Sequence, residues 1–251
     1  MSATTISATA LAPLPEVRAG DDLAAQLIQA SDGLRDGDVV VVAHKVVSKA
    51  EGRVRRLAEV VPDARARALA AEHDKDARIV QVVLDETAEL MRAERGVLIC
   101  RTHHGFVCAN AGVDASNAPD DETVVLLPRD PDGSARGLRA ALREHAGVAL
   151  AVVITDSFGR AWRHGQADIA IGCAGLRPLE DWRGRPDARG RELHATWIAL
   201  ADEAASAADL ARAKDSRQPA VVVRGLHAHV TDEDGPGALA LVRPPEEDLF
   251  R

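Results

Sequence analysis

The chain alternates apolar stretches with short polar breaks, and the period within each stretch indicates what it forms. Val39 to Val42 and Val148 to Ile154 are unbroken apolar runs of strand length, so both read as strands covered on two faces. Ile79 to Leu84, Gly96 to Arg101, Val124 to Leu127 and Ala220 to Val223 are further strand candidates. Helical spacing begins at Leu23, where Leu23, Leu27 and Ile28 share a stripe behind the capping signal Gly20-Asp21-Asp22. The Ala- and Arg-rich residues 62–77, Ser134 to His145 and Thr196 to Ala213 predict three more helices. Asp36-Gly37-Asp38 is a turn, Pro128 to Gly133 a turn-rich loop, and residues 178–191, rich in Pro, Gly, Arg and Asp, a mobile loop. The polar tail from Leu241 ends in Leu249-Phe250, an apolar pair expected to dock on the body. No internal repeat or low-complexity linker divides residues 1–251, which read as a single domain.

Composition narrows the function classes. Of 251 residues 46% are hydrophobic but only 2% aromatic, with no tyrosine, so the core is aliphatic and base stacking is not a main binding mode. A formal net charge of −8 argues against a nucleic-acid binder, whose footprint would be basic. Any anionic ligand must therefore be held locally, by metal ions or a few Lys and Arg. The three cysteines, Cys100, Cys108 and Cys173, form no C-x-x-C pair and read as reduced, buried thiols. The N-terminus lacks a basic region followed by an apolar one, and no run approaches the ~18 apolar residues that span a bilayer. A cytoplasmic, soluble protein without a membrane partner is expected.

The densest chemistry follows the second apolar run. Thr155-Asp156-Ser157 places a carboxylate at the end of a buried strand, and Gly159, Arg160, Arg163, His164 and Gln166 follow at once, a donor set suited to an anion. Neither G-x-x-x-x-G-K-[ST] nor G-x-G-x-x-G occurs, since Gly235-Pro236-Gly237 lacks the third glycine. With no P-loop and no Rossmann motif, a nucleotide must be held in some other way. Asp114 and Asp156 each end an apolar or small-residue run beside hydroxyl or amide groups (Ser116, Asn117 and Ser157), as hard ligands for Mg2+ or Mn2+ would. Spacing alone leaves both equally at home as turn residues. Lys45 and Lys49, four apart with Ser48 between them, would share one helical face toward phosphate oxygens or toward water. Arg160 and Arg163 would meet a substrate carboxylate or phosphate, or lie on the surface. The pairs His103-His104 and His227/His229 lack zinc spacing and read as structural or exposed.

Taken together, these segments resemble the coenzyme F420-0:L-glutamate ligase family, the γ-glutamyl ligases of deazaflavin biosynthesis. The resemblance is carried by Leu14-Pro15-Glu16-Val17 with Gly20 to Leu23, by Asp36-Gly37-Asp38, and by Val46-Val47-Ser48-Lys49 through Arg53. It continues through His104-Gly105-Phe106 to Asn117, Ile154-Thr155-Asp156-Ser157 to Gly172, Ala201-Asp202-Glu203, Ala207 to Leu210, and the tail from Arg243-Pro244 to Arg251. It implies an α+β, two-lobed, mixed-sheet fold and a homodimer. It also implies a GTP-dependent ligase that joins L-glutamate to the deazaflavin F420-0, then further γ-linked glutamates, through an acyl phosphate. By resemblance the nucleotide is met by Leu14, Pro15, Glu16, Val17, Lys49 and Asn117, and Mg2+ or Mn2+ by Asp114, Asp156 and Ser157, with K+ assisting. Asp114, Asp156 and Lys49 would then be the catalytic set, and the loop at 178–191 would exclude water.

Two departures qualify the expectation. His44 stands where the family has a nucleotide-contacting serine, and Ala213-Lys214 where it has Gly-Lys or Gly-Gln. They leave open a related ligase for another carboxylate or amine, or a nucleotide binder without turnover. The nitroreductase-like C-terminal domain of many actinobacterial versions has no counterpart in the sequence, so a standalone form is expected.

Overall fold

The computed structural model describes residues 5–248. In chain order its elements are β1 (Ser7–Ala10), α1 (Leu23–Ala30), β2 (Val39–Ala43), α2 (His44–Ala50), β3 (Val54–Arg56), α3 (Ala64–His73), α4 (Ala77–Asp85), β4 (Thr87–Glu94) and β5 (Val97–Thr102). There follow β6 (Val107–Ala109), β7 (Thr123–Val125), α5 (Pro131–Ala146), β8 (Ala151–Arg160), β9 (Arg163–Ala174), β10 (Glu180–Asp181), β11 (Trp197–Ile198), α6 (Leu200–Ala211) and β12 (Ala220–Arg224).

The two apolar runs become the centre of a five-stranded sheet of order β1-β12-β2-β8-β9. Strands β2 and β8 are parallel, from Val39 opposite Ala151 to Ala43 opposite Thr155, and every other pairing in the sheet is antiparallel. Val39 to Val42 are all fully buried, as unalternating strands must be when both faces are covered. Val40, Val42, Val152 and Ile154 face Leu23 and Leu27 of α1 and Ala135 and Leu142 of α5. Val39, Val41, Val153 and Val221 face the alanines Ala201, Ala204 and Ala208 of α6, whose small side chains let the helix lie close to the sheet. A separate apolar core gathers α3, α4, β4, β5 and β7 around Ala66, Val80, Val83, Leu98 and Val124, and β6 completes a three-stranded sheet with β4 and β5 while β3 pairs with β7. The architecture is α+β with mixed sheets, as expected.

Several sequence expectations are corrected. Ile79 to Leu84 is helical: Asp76 accepts from Arg78 N at 2.7 Å as N-cap, and Val80 and Val83, three apart, turn into the second core. β-branched residues suggested a strand, but cap and packing override that weak preference. The helix expected over 62–77 stops at His73, where Asp74 adopts a left-handed conformation with φ 52°. Helix α5 starts at Pro131, three residues early, because Asp130 caps it by accepting from Gly133 N at 2.8 Å. Strand β8 does not stop at Ile154 but runs on to Arg160 in a hairpin with β9. The segment at 178–191 carries β10, paired with β11. Leu249 and Phe250, expected to dock, lie outside the described residues. Among the described residues no helix is long and apolar enough to cross a membrane.

Candidate functional site

The site forms where the parallel pair comes apart. Strand β2 ends at Ala43, opposite Thr155, and the chain turns directly into α2 at His44. Beyond that point β8 keeps only β9 as partner, so Asp156 and Ser157 line an open end of the sheet. The hairpin register shifts here, Ile154 pairing with Gly172 but Thr155 with Ala170, which marks a bulge on β9. The amide of Ala170 at the bulge is taken by Asp202 of α6, at 2.9 Å. Strand alternation then separates the polar groups, sending Asp156 toward His44 and Thr155 and Ser157 together toward Asp168 on β9.

These groups border a cavity of about 620 Å3. Its walls come from Leu14 to Val17, the β2–α2 junction with His44, Lys45 and Lys49, Asn117, β8 with Asp156 and Ser157, and the segment from Arg212 to Pro219. Each lysine on the wall has a carboxylate beside it. Lys49 Nζ donates to Glu16 Oε1 at 2.6 Å, although Lys49 itself is buried. Lys45 Nζ lies 2.7 Å from Asp114 Oδ2 and 2.6 Å from Ser116 Oγ. Lys214 Nζ donates to Ser157 Oγ and to Asp209 Oδ1, both at 2.9 Å. Burial alone would push the Asp114 carboxyl up, but the Lys45 ammonium and the Ser116 amide and hydroxyl outweigh it and hold it below the usual range.

Asp168 is the anchor of the opposite wall. Its side chain is 1% exposed and accepts from Ser157 Oγ at 2.6 Å, from Thr155 Oγ1 at 2.9 Å and from the Arg212 guanidinium. Burial raises its pKa, but the Ser157 hydroxyl, the Arg212 charge, the Thr155 hydroxyl and the Lys214 charge together hold it below the ordinary value. Because the Ser157 proton points at Asp168, the Ser157 oxygen offers only lone pairs to the cavity, where the Lys214 ammonium now meets them. A hydroxyl so oriented is ready to meet a cation. Asp156 and Ser157 are hard oxygen donors of the kind Mg2+ and Mn2+ take. Beside them His44 Nε2 is buried and makes no hydrogen bond, although Asp156 Oδ1 lies 3.3 Å away, because the two are not aligned. Among the described residues no three His, Cys, Asp or Glu side chains converge as a closed metal cage, so a cation here would complete its shell with ligand oxygens and water.

The structure therefore brings Leu14, Pro15, Glu16, Val17, His44, Lys49, Asn117, Asp156 and Ser157 to one cavity. Asp114 stands one layer back, holding Lys45 and Ser116. Arg160 and Arg163 lie at the exposed tip of the β8–β9 hairpin, outside the cavity wall, with Arg160 donating to His164 O at 2.6 Å. Ala213 is on the wall, so both departures from the family pattern face the ligand space. Asp168, Thr155 and Arg212 escaped sequence reasoning. Asp168 and Arg212 are 44 residues apart, and only the register that sets Asp168 opposite Ser157 makes them neighbours. The three thiols are free and buried, as expected.

Residues 12–225 match the family model described as F420-0:γ-glutamyl ligase. The coenzyme F420:L-glutamate ligase of Methanopyrus kandleri is 47% identical over 244 residues, covering 95% of this chain and 96% of that protein. That of Methanothermobacter thermautotrophicus is 43% identical over 251 residues, covering 98% and 99%, and that of Haloarcula marismortui 43% identical, covering 95% and 93%. The family match contains β2, β8, β9 and β12 of the central sheet and the cavity-lining segments from Leu14 to Pro219. The chain belongs to the F420-0:γ-glutamyl ligase family and is a carbon–nitrogen bond-forming ligase.

Proposed function

We propose that the protein is a GTP-dependent coenzyme F420-0:L-glutamate ligase that adds L-glutamate, and then further γ-linked glutamates, to the deazaflavin. The observation that carries this reading is the convergence, in one cavity without a P-loop, of the Leu14–Val17 strip, Lys49, Asn117, Asp156 and Ser157. A carboxylate is a poor acyl donor, so the γ-phosphoryl group of GTP passes first to the substrate carboxylate, giving an acyl phosphate and GDP. The glutamate amine then attacks the carbonyl carbon, the C–O bond to phosphate breaks, and the amine loses its proton as the amide forms.

Both anions must approach one another, and this chain supplies fixed charge for that purpose. Lys49, Lys45 and Lys214 exchange their carboxylate partners for phosphate oxygens, and Arg212, locked by Asp168, holds the wall on which they act. Mg2+ or Mn2+ held by Asp156 and Ser157, and by Asp114 once Lys45 turns to phosphate, would neutralise phosphate charge, with K+ assisting. The β10–β11 excursion, exposed along most of residues 181–197, is the segment we assign to excluding water from the acyl phosphate. The enzyme acts as a homodimer in this reading, and light scattering giving a monomer mass would remove that part of it.

Incubation with GTP, Mn2+, L-glutamate and unglutamylated deazaflavin, read by mass spectrometry, tests the proposal. A glutamate mass increment with release of GDP is expected, and 18O placed in the substrate carboxylate should appear in the phosphate released. Failure of the label to reach phosphate excludes the acyl phosphate. GTP turnover only with some other carboxylic acid would replace F420-0 as substrate.

A further inference from the structure

His44 brings a buried ring nitrogen without a hydrogen bond to the cavity. Its side chain is 2% exposed at the start of α2, on the cavity wall. Nδ1 lies 3.3 Å from Ser48 Oγ, the fully buried hydroxyl one helical turn on. Nε2 lies 3.3 Å from Asp156 Oδ1 but is not aligned to donate to it, and no other partner satisfies it. A buried ring nitrogen without a hydrogen bond has lost its water without gaining a partner, and such an atom calls for an explanation.

The tautomer supplies one. If Nδ1–H donates to Ser48 Oγ, Nε2 carries a lone pair and faces a carboxylate oxygen, two acceptors turned toward each other. That pairing is unfavourable on its own and becomes favourable when a cation lies against both. Metal-bound imidazoles commonly have this arrangement, with the distal N–H fixed by a hydrogen bond.

We infer that His44 Nε2 is a direct ligand of a divalent ion shared with Asp156, and that it tilts this protein toward Mn2+ or Co2+ over Mg2+. The inference rests on the metal reading proposed above and deepens it. An imidazole nitrogen is a softer donor than oxygen and raises affinity along the series from Mn2+ to Co2+, whereas Mg2+ gains little from it. A site of Asp156 and Ser157 alone would discriminate weakly among these ions, and His44 would supply the discrimination.

The test uses the full chain with Mn2+, alone and with GTP, and reads electron–nuclear double resonance of bound Mn2+ after uniform 15N-histidine labelling. A 15N coupling to manganese is expected in the unaltered protein and should vanish in His44→Ser and His44→Gln. Both variants should bind Mn2+ and Co2+ about 10-fold or more weakly, with Mg2+ affinity, measured by competition, nearly unchanged. Mn2+ bound with no 15N coupling overturns the role of His44 and leaves the metal reading standing. No Mn2+ binding at all, with or without GTP, overturns both. The refuting result, bound Mn2+ without 15N coupling, is read in the unaltered protein and needs no variant, while the two variants assign an observed coupling to His44 among the nine histidines.

Discussion

Replacing Asp168 by Asn tests how the cavity wall is held. The change keeps shape but removes a charge whose side chain is 1% exposed, leaving the Arg212 guanidinium, 8% exposed, without its counter-ion. Arg212 would keep only neutral acceptors, the Pro219 carbonyl and Thr155 hydroxyl, both at 2.9 Å, and the new amide oxygen. Breaking one side of a buried pair costs about 3–5 kcal/mol, because the surviving charge stays buried and uncompensated. For a chain of this length that lowers Tm by on the order of 10 °C. Thermal unfolding followed by circular dichroism would measure it. The pH dependence has a fixed sign. The folded-state pKa of Asp168 is depressed, so its stabilisation is complete above the unfolded value, about 3.9, and fades as pH falls toward the folded pKa. Asp168→Asn should therefore lose less stability than the unaltered protein on acidification below about pH 4. The double variant Asp168→Leu/Arg212→Met, which removes both charges, should recover most of the loss. An Asp168→Asn protein with an unchanged Tm, or a double variant no better than the single, would refute the reasoning.

Asp156→Ala should lower kcat/KM by on the order of 100-fold or more while leaving the circular dichroism spectrum intact, since in the proposed mechanism the residue serves charge neutralisation rather than the core; undiminished ligation would rule out its role. Gly172→Ala would place a Cβ 2.2 Å from the Pro131 carbonyl oxygen, forcing α5 away from β9. A cost of about 1–3 kcal/mol is expected in urea unfolding, and an unchanged midpoint would show that α5 yields freely. Burial, and then the charge of Asp156, push the Cys108 thiol up to about 12, and burial and Asp132 do the same for Cys173. With Cys100 also buried, Ellman's reagent at pH 8 should find no thiol in the native protein and three in denaturant; prompt native labelling would contradict this packing.

What the sequence made legible was local. Val39 to Val42 and Val148 to Ile154 declared buried strands because no polar residue interrupts them, and Asp22 before Leu23 announced a capped helix. Ile79 to Leu84 misled because β-branched residues suit strands as well as buried helix faces, and only packing against Leu98 and Val124 chooses between them. Thr155-Asp156-Ser157 looked like a strand end because polarity rose there, whereas the backbone continues into a hairpin that leaves the sheet. Within the site, family resemblance brought forward residues in contiguous blocks. It did not bring forward Asp168 and Arg212, whose partnership exists only through strand register and the end of α6. The Lys45–Asp114 pair was hidden for the same reason, since both residues were read as site groups but not as partners.

The strand order β1-β12-β2 has a kinetic consequence. Strand β1 is made long before β12, yet they pair from Ser7 with Arg224 to Ala10 with Val221, and β12 then pairs with β2. At roughly 5–20 residues per second of synthesis, the valine-rich β2 waits on the order of ten seconds or more for the partner on its β12 side. The nascent chain thus carries an unpaired, strongly apolar edge until β12 has been made, the condition under which chaperones engage and premature strand pairing leads to aggregation. The cavity also draws walls from Leu14 to Pro219, so it is incomplete until that closure. Any ligand that fills it therefore meets a sheet already closed.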